Sequence, residues 1–189
     1  NILDYLESSE KLVPNQIAFA DEKDSCTYRE LKQTAKAIGT YLADRVSPGS
    51  PVPVFMEKGV SAVCAFMGAV YAGCFYVMLD PKLPAERLRK ILHTLDADVV
   101  ITEENYKKQY QALAFGAKQI DIGEAAQSVV NEEKLARIRQ RSQDTDPLYT
   151  MFTSGSTGVP KGVVVSHRSV IDFIEEFTEL FGIEPKDVI

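Results

Sequence analysis

The sequence predicts an α/β fold in three layers, with a parallel sheet between two layers of helices. Short apolar runs alternate along the chain with longer segments whose apolar residues recur at helical spacing. Strands that alternate with helices in this way pair in parallel, because crossover helices cover both faces of the sheet. The chain has 189 residues, of which 45% are apolar and 9% aromatic. That is enough to fill the core of one domain, or of one large domain cut short.

The first predicted helix begins at a capping box. Thr27 and Glu30 have the spacing at which each side chain accepts a hydrogen bond from the other residue's backbone N–H. Pro48 and Gly49 end the segment. Its apolar residues repeat at the period of a helix that faces a core: Leu31, Ala35, Ile38 and Leu42.

Further elements follow in alternation. The predicted helices span residues 60–72, 84–95 and 106–115, and the first of these is apolar on nearly every face, as a helix between layers would be. The predicted strands span residues 52–56, 75–79, 99–102, 118–121, 148–152 and 163–165. Pro53 lacks a backbone donor, which makes the first strand the least regular of the set.

The segment 131–147 interrupts this alternation, because it is rich in charged residues and glutamine. We predict a solvated linker or a surface helix there, between an α/β subdomain at 1–130 and a final part at 148–189. In that final part Ser166 is a good N-cap, and Gly182 ends the helix as a left-handed cap would. The residues 185–189 resemble the entry to another strand.

Charge and composition exclude several classes of function. The net charge of −6 and the pI near 5.0 disfavour nucleic-acid binding, since phosphate backbones need basic partners. No apolar run approaches the ~20 residues that span a bilayer, and the first residues do not resemble a signal peptide. The spacing of the three cysteines does not suit a metal, and Cys64 and Cys74 are expected to be buried and inert. We therefore expect a cytoplasmic protein with no membrane insertion.

The segment 153–162 is the strongest functional signal. It follows an apolar strand and reads Thr-Ser-Gly-Ser-Thr-Gly-Val-Pro-Lys-Gly. Glycines let the backbone approach a ligand closely. Free backbone N–H groups, hydroxyls and one lysine together form a pocket for an anion, with polyphosphate as the favoured ligand. The other interpretation, a flexible Ser/Gly surface turn, is disfavoured by Pro160 and Lys161 and by the closely flanking strands.

Two well-known phosphate-binding patterns do not fit this loop. The spacing from Gly155 to Gly158 is too short for the P-loop of nucleoside triphosphatases, and a glycine follows Lys161 where that pattern needs Ser or Thr. The dinucleotide pattern Gly-x-Gly-x-x-Gly is also missing. The loop is instead similar to the phosphate-loop signature of the adenylate-forming superfamily. That superfamily contains acyl-CoA synthetases, beetle luciferases and the amino-acid adenylation domains of peptide synthetases.

Two further segments resemble this superfamily in the expected order. Residues 68–81 resemble its second core motif, with Met78 where proline is usual. The continuation Leu-Pro-Ala-Glu-Arg-Leu at 83–88 favours the amino-acid-activating branch, and residues 27–31 resemble an early motif. We expect Tyr28, Tyr76 and Asp80 to have packing and turn roles rather than chemical ones.

The resemblance implies an activity for the full-length protein. ATP and an amino acid would form an aminoacyl-adenylate and pyrophosphate, and the aminoacyl group would pass to the phosphopantetheine thiol of a carrier protein. Peptide-synthetase adenylation domains and D-alanine–carrier-protein ligases both fit. The resemblance also implies that the loop holds the β- and γ-phosphates of ATP, with Mg²⁺ bridging them. The residues assigned to phosphate binding are Thr153, Ser154, Gly155, Ser156, Thr157, Gly158 and Lys161.

Other interpretations stay open. Within the superfamily the alternative is an acyl- or aryl-CoA ligase, and outside it a nucleotide-binding module without catalysis. The family's adenine-contacting and ribose-binding segments and its small C-terminal domain have no counterpart in the 189 residues, so we expect this chain alone to be inactive. We assign no catalytic residue and no metal ligand. His167 is expected to fix the start of a helix rather than act as a general base, and His93 to be structural.

Overall fold

The computed structural model describes residues 1–153 and 160–184, which form a six-stranded mixed sheet with helices on both faces and a small separate hairpin. The helices are α1 (Leu3–Leu12), α2 (Tyr28–Ala43), α3 (Val60–Tyr71), α4 (Ala85–Leu95), α5 (Lys107–Gln111), α6 (Ile122–Ala126), α7 (Glu132–Arg141) and α8 (His167–Phe181). The strands are β1 (Ile17–Ala20), β2 (Ser25–Thr27), β3 (Pro51–Phe55), β4 (Phe75–Leu79), β5 (Val99–Thr102), β6 (Lys118–Asp121), β7 (Pro147–Thr153) and β8 (Lys161–Ser166). A 3₁₀ turn, Glu104–Tyr106, precedes α5.

The large sheet has the order β6-β5-β3-β4-β7-β8. The first five strands are parallel, which confirms the predicted three-layer α/β class. The last pair, β7 and β8, is antiparallel, so the prediction of parallel pairing does not extend to β8. The reason is the short connection: no crossover helix fits between Thr153 and Lys161, and a parallel crossover needs a dozen or more residues.

Each face of the sheet has its own core. On one face Val52 and Val54 of β3 pack with helices α1, α2, α3, α6 and α7. On the other face Phe55 and Val77 pack with α4 and α5. The side chains of successive residues of β3 therefore pack against opposite helical layers, as the two-residue period of a strand requires. Pro53 is tolerated in this inner strand because the ladder with β5 begins only at Val54.

The predicted capping box is present at the start of α2. The Thr27 hydroxyl accepts a hydrogen bond from Glu30 N at 3.2 Å, and Glu30 Oε2 accepts one from Thr27 N at 2.9 Å. The Glu30 carboxylate accepts hydrogen bonds from the Thr27 backbone N–H and from the Thr27 hydroxyl, so its pKa lies below its usual range. The helix buries the predicted residues Leu31, Ala35, Ile38 and Leu42.

Several elements differ from the prediction. Helix α1, the β1–β2 hairpin and α6 were not predicted. The helix predicted at 106–115 is the shorter α5, and Ala114 beyond it has a φ of +52°. In the segment 131–147 the structure contains α7, which agrees with the predicted alternative of a surface helix, except that its Leu135 is buried in the core. The division of the chain at residues 130 and 147 stays a prediction, and the strand expected at 185–189 lies outside the described residues.

The cysteines are buried thiols in the described structure. Cys26, Cys64 and Cys74 are free and buried, and burial raises the pKa of Cys64 and of Cys74 to about 12. In the described parts of the chain, no helix is both long enough and apolar enough to cross a membrane.

Candidate functional site

The predicted phosphate loop connects the two antiparallel strands β7 and β8 at one edge of the sheet. Strand β7 is parallel to β4, so both strands end at the same edge. The carboxyl edge of a parallel sheet is where α/β proteins bind their ligands, because the backbone there opens into loops. The fold therefore places the loop where a ligand would have access.

Thr153 and Lys161 form the last described pair of this hairpin. They are opposite each other in the ladder, and the Thr153 hydroxyl lies 3.5 Å from the Lys161 carbonyl oxygen. Both residues are exposed. The structure thus brings these two predicted site residues together at the entrance of the loop.

The other five residues of the predicted site lie outside the described residues: Ser154, Gly155, Ser156, Thr157 and Gly158. Their assignment to phosphate binding stays a prediction.

The Lys161 ammonium is available to an anion. It makes no ion pair with any carboxylate in the described parts of the chain, and its side chain is in solvent. A lysine that is held at a strand end without a partner can bind phosphate as a point charge.

Gly162 packs closely against β7. A Cβ atom on Gly162 would lie 3.0 Å from Thr150 Cγ2 and 3.3 Å from the ring of Phe152. Both are side-chain atoms of β7, so a side chain at Gly162 would require these two side chains to shift by a few tenths of an ångström. The glycine after the lysine therefore has a packing role.

Aromatic stacking holds β7 against β4 and the helical layer. The Tyr76 ring stacks on Phe66 at 4.3 Å and on Tyr149 at 5.7 Å between ring centroids. Burial raises the pKa of Tyr76 to about 12, so its hydroxyl stays protonated. Asp80, just after β4, accepts a hydrogen bond from Lys82 N at 2.8 Å and forms a tight turn. These contacts agree with the packing and turn roles expected for Tyr76 and Asp80.

Arg87 was not predicted as a site residue, yet it lies at the base of the loop. Its Nη2 atom is 3.4 Å from the carbonyl oxygen of Phe152, the residue before Thr153. The sequence signal for Arg87 is the 83–88 motif, which contains this arginine.

His167 is buried at the start of α8 and is unsuited to be a general base at the loop. Its Nδ1 accepts a hydrogen bond from the Ile2 backbone N–H at 3.3 Å. Burial, together with the positive N-terminus and Arg139, lowers the pKa of His167 from 6.5 to about 4. A neutral imidazole here connects α8 to the first residues of the chain. His93 makes an edge contact with Phe115 at 5.5 Å, which is a packing role.

The described residues contain no group of three or more His, Cys, Asp or Glu side chains that could hold a metal ion. Magnesium prefers oxygen ligands and keeps several waters, with substrate phosphates as frequent partners.

Comparison with known proteins gives one consistent family. Residues 6–189 match the AMP-binding enzyme family. Surfactin synthase subunit 1 of Bacillus subtilis is 32% identical over 179 residues, which cover 94% of this chain and 5% of that protein.

Two solved structures have the same fold. The nonribosomal peptide synthetase FmoA3, bound to α-methyl-L-serine-AMP, superposes with a TM-score of 0.82 at 27% identity over 97% of this chain and 20% of that one. A fatty acid AMP ligase from Legionella pneumophila superposes with a TM-score of 0.78 at 25% identity over 97% of this chain and 33% of that one. The chain thus spans at most a third of these three proteins.

Proposed function

The chain belongs to the AMP-binding enzyme family, and from this we propose that it is the N-terminal portion of the large domain of an amino-acid-activating ligase. In this proposal 1–130 is an α/β subdomain, 131–147 joins it to the rest, and 148–189 carries the phosphate loop with the following strand and helix. The whole enzyme converts ATP and an amino acid to an aminoacyl-adenylate and pyrophosphate.

The observation that carries this proposal is the position of Thr153 and Lys161. They close the loop at the carboxyl edge of the sheet, and the Lys161 ammonium has no carboxylate partner among the described residues. Positive charge and donors fixed in advance at this edge stabilise the charge that develops on departing pyrophosphate. The residues proposed to bind the β- and γ-phosphates are Thr153, Ser154, Gly155, Ser156, Thr157, Gly158 and Lys161.

Likeness to a nonribosomal peptide synthetase supports the substrate class, because the FmoA3 structure at 27% identity holds an α-methyl-L-serine adenylate. By the same likeness we propose transfer of the aminoacyl group to a phosphopantetheine carrier protein. Mg²⁺ would arrive with ATP and be held by phosphate oxygens.

A fatty acid or another carboxylic acid is the second candidate substrate. It is favoured by the superposition on the Legionella fatty acid AMP ligase at 25% identity. An acyl- or aryl-CoA ligase would follow from such a substrate.

The test is carboxylate-dependent exchange of labelled pyrophosphate into ATP. A protein that carries this chain within a whole AMP-binding domain is assayed with a panel of amino acids, fatty acids and aryl acids. We expect exchange with one or a few amino acids, and none with the 189-residue chain by itself. Exchange with fatty or aryl acids alone would contradict the amino-acid assignment, and exchange by the isolated chain would contradict its inactivity.

A further inference from the structure

We propose that a groove between α7 and the amino edge of the sheet binds an acidic peptide segment of a partner protein. The parallel strands begin at this edge and end at the other one, where β7 leads into the 153–162 loop. The groove is therefore a different site from the loop, and ligand binding there does not depend on the proposed function. Three properties of the groove support the proposal: its lining, its charges and the spacing of those charges.

The groove is an open cavity of about 610 Å³, which is within the range of roughly 300–1,000 Å³ that ligand sites occupy. Helix α7 forms one wall, and the end of α2 with the starts of β3, β4 and β7 forms the other. Ile138 holds α7 at this edge, since a Cβ on Gly73 would lie 2.7 Å from Ile138 Cγ2 and 3.2 Å from Pro48 Cβ. The groove is thus built into the packing of α7 on the sheet. Its apolar lining residues are Ala43, Pro48, Gly49, Gly73, Ile138 and Pro147.

The charged lining of the groove is mainly positive. Helix α7 contributes Lys134, Arg137 and Arg141, which are three and four positions apart and so lie on one face of the helix. The one carboxylate among the described lining residues is that of Asp146, whose Oδ2 accepts a hydrogen bond from Gln143 N at 2.7 Å. Cations therefore outnumber carboxylates in the groove, although the whole chain has a net charge of −6. Such a local excess of positive charge favours an anionic ligand.

Two of these cations are available to a ligand. Arg141 is exposed and forms no ion pair with any carboxylate of the described residues. Arg137 is paired with Glu133 at 3.6 Å, and the two side chains are 63% and 82% exposed. A pair as exposed as this contributes little to stability, so a carboxylate of the ligand can replace Glu133 at little cost. Lys134 is already paired with Asp44 and contributes less.

The spacing of the cations favours an extended peptide over a small anion. A helix rises about 1.5 Å per residue, so Arg137 and Arg141 are about 6 Å apart along α7, and the three cations extend over about 10 Å. A single phosphate or carboxylate cannot contact all of them. A peptide extended along α7 rises about 3.3 Å per residue, so acidic residues at every second position repeat at about 7 Å on one face. Two such residues can pair with the two arginines, while the intervening apolar side chains face the apolar lining.

The experiment is a fluorescence anisotropy titration of a labelled peptide, Glu-Val-Glu-Val-Glu, with the 189-residue chain at several salt concentrations. The matched control peptide is Gln-Val-Gln-Val-Gln. The variants compared are Arg137→Gln, Arg141→Gln and the control Arg29→Gln. Arg29 is exposed in the first turn of α2, about 20 Å along that helix from the end that lines the groove. This distance exceeds the Debye length of about 8–10 Å in moderate salt.

We expect the acidic peptide to bind at least about tenfold more tightly than the control peptide. Arg137→Gln and Arg141→Gln should each weaken binding by about three- to fivefold, as for loss of one exposed ion pair. Each should also reduce the dependence of affinity on salt, because screening acts on the charge that has been removed. Arg29→Gln should leave both quantities as in wild type.

Three outcomes would overturn the proposal. The first is equal affinity of the wild type for the two peptides, or no binding of either. The second is a loss in Arg29→Gln as large as that in Arg141→Gln, because the peptide would then respond to the net charge of the chain and not to the groove. The third is displacement of the bound peptide by equimolar inorganic pyrophosphate, which would assign the groove to a small anion.

A second measurement uses the wild-type chain, so it does not depend on the folding of a variant. The backbone N–H resonances of Gly49 and Gly73, which line the groove, are followed by NMR during a titration with the acidic peptide. They should shift as the groove fills, and the N–H resonance of Gly123 in α6, outside the groove, should stay in place. If the Gly49 and Gly73 resonances did not shift at saturation, the groove would not be the binding site.

Discussion

At the scale of single residues, His167 illustrates how a polar side chain can be structural in a chain of this family. The groups around it are the N-terminal ammonium and Arg139, which lower its pKa, and Asp144 and Asp146, which act in the opposite direction. Burial is the largest cause of the lowered pKa, and the net result is that the pKa of His167 in the folded chain is about 4. The imidazole is therefore neutral at physiological pH, with its Nδ1 occupied by Ile2 N–H.

This pKa predicts a pH dependence of stability. Between pH 6.5 and about 4 the unfolded chain binds a proton at His167 and the folded chain does not. The free energy of unfolding therefore falls as pH decreases through this window, by at most about 3 kcal/mol, and this loss ends below the folded-state pKa. His167→Asn should flatten the profile between pH 6.5 and 4.5 in urea titrations, because the acceptor is kept and the titration removed. If the free energy of unfolding of His167→Asn fell with pH as steeply as that of the wild type, the assignment of this pH dependence to His167 would be wrong.

The candidate site was predicted from sequence only in part, and its residues show why. Thr153 and Lys161 belong to a contiguous signature, so their residue types and spacing already indicate an anion. Arg87 is more than sixty positions earlier in the chain. Its relation to the loop depends on β4 and β7 being neighbours, which the sequence pattern does not specify.

At the scale of elements, the contact between α2 and α3 depends on glycine. A Cβ on Gly68 of α3 would lie 2.4 Å from Ile38 Cγ2 and 2.7 Å from Ile38 Cβ, and a Cβ on Gly39 of α2 would lie 2.6 Å from Tyr71 Cβ. These distances are too short for a methyl group. The two helices therefore approach each other more closely than any residue with a side chain would allow at these positions.

This close approach predicts the effect of one added methyl group. Gly68→Ala gains helix propensity, but it overpacks the contact with Ile38, and we expect a net loss of about 1–2 kcal/mol in the free energy of unfolding. The control is Gly116→Ala, where a Cβ would meet nothing within 4 Å and the change should be within about 0.5 kcal/mol. Urea unfolding of both variants measures these changes in the free energy of unfolding. If Gly68→Ala were as stable as Gly116→Ala, the two helices would be able to separate without cost, which would contradict the prediction.

Helix caps with a side-chain or glycine signal were predictable, whereas the end of α2 was not: the helix ends at Ala43, before the predicted stop at Pro48 and Gly49. The capping box at Thr27, the N-cap Ser166 and the left-handed Gly182 all occur as predicted. Helix α1 buries only Leu3 and Leu6, and β1 has a mostly exposed pattern with no alternation. The turn between β1 and β2 is held by a tertiary contact, in which the Asp21 carboxylate accepts a hydrogen bond from Val60 N–H at 2.9 Å. Sequence periodicity does not report such contacts.

At the scale of the whole molecule, the alternation of strands and helices determines the parallel part of the sheet. The antiparallel β7–β8 pair departs from it because the connection between these strands is too short for a crossover helix. The chain therefore returns antiparallel, and the end of β7 and the start of β8 lie at the edge where β4 also ends. The loop is thus a hairpin connection in an otherwise parallel sheet.

The central claim is that this connection binds polyphosphate, and the most direct test is pyrophosphate binding to the 189-residue chain by isothermal titration calorimetry. We predict saturable binding by the wild type and affinity at least about tenfold weaker in Lys161→Ala. The melting temperature should be unchanged, because Lys161 is exposed and has no ion-pair partner among the described residues. Absence of binding by the wild type, or equal affinities for wild type and Lys161→Ala, would contradict the claim.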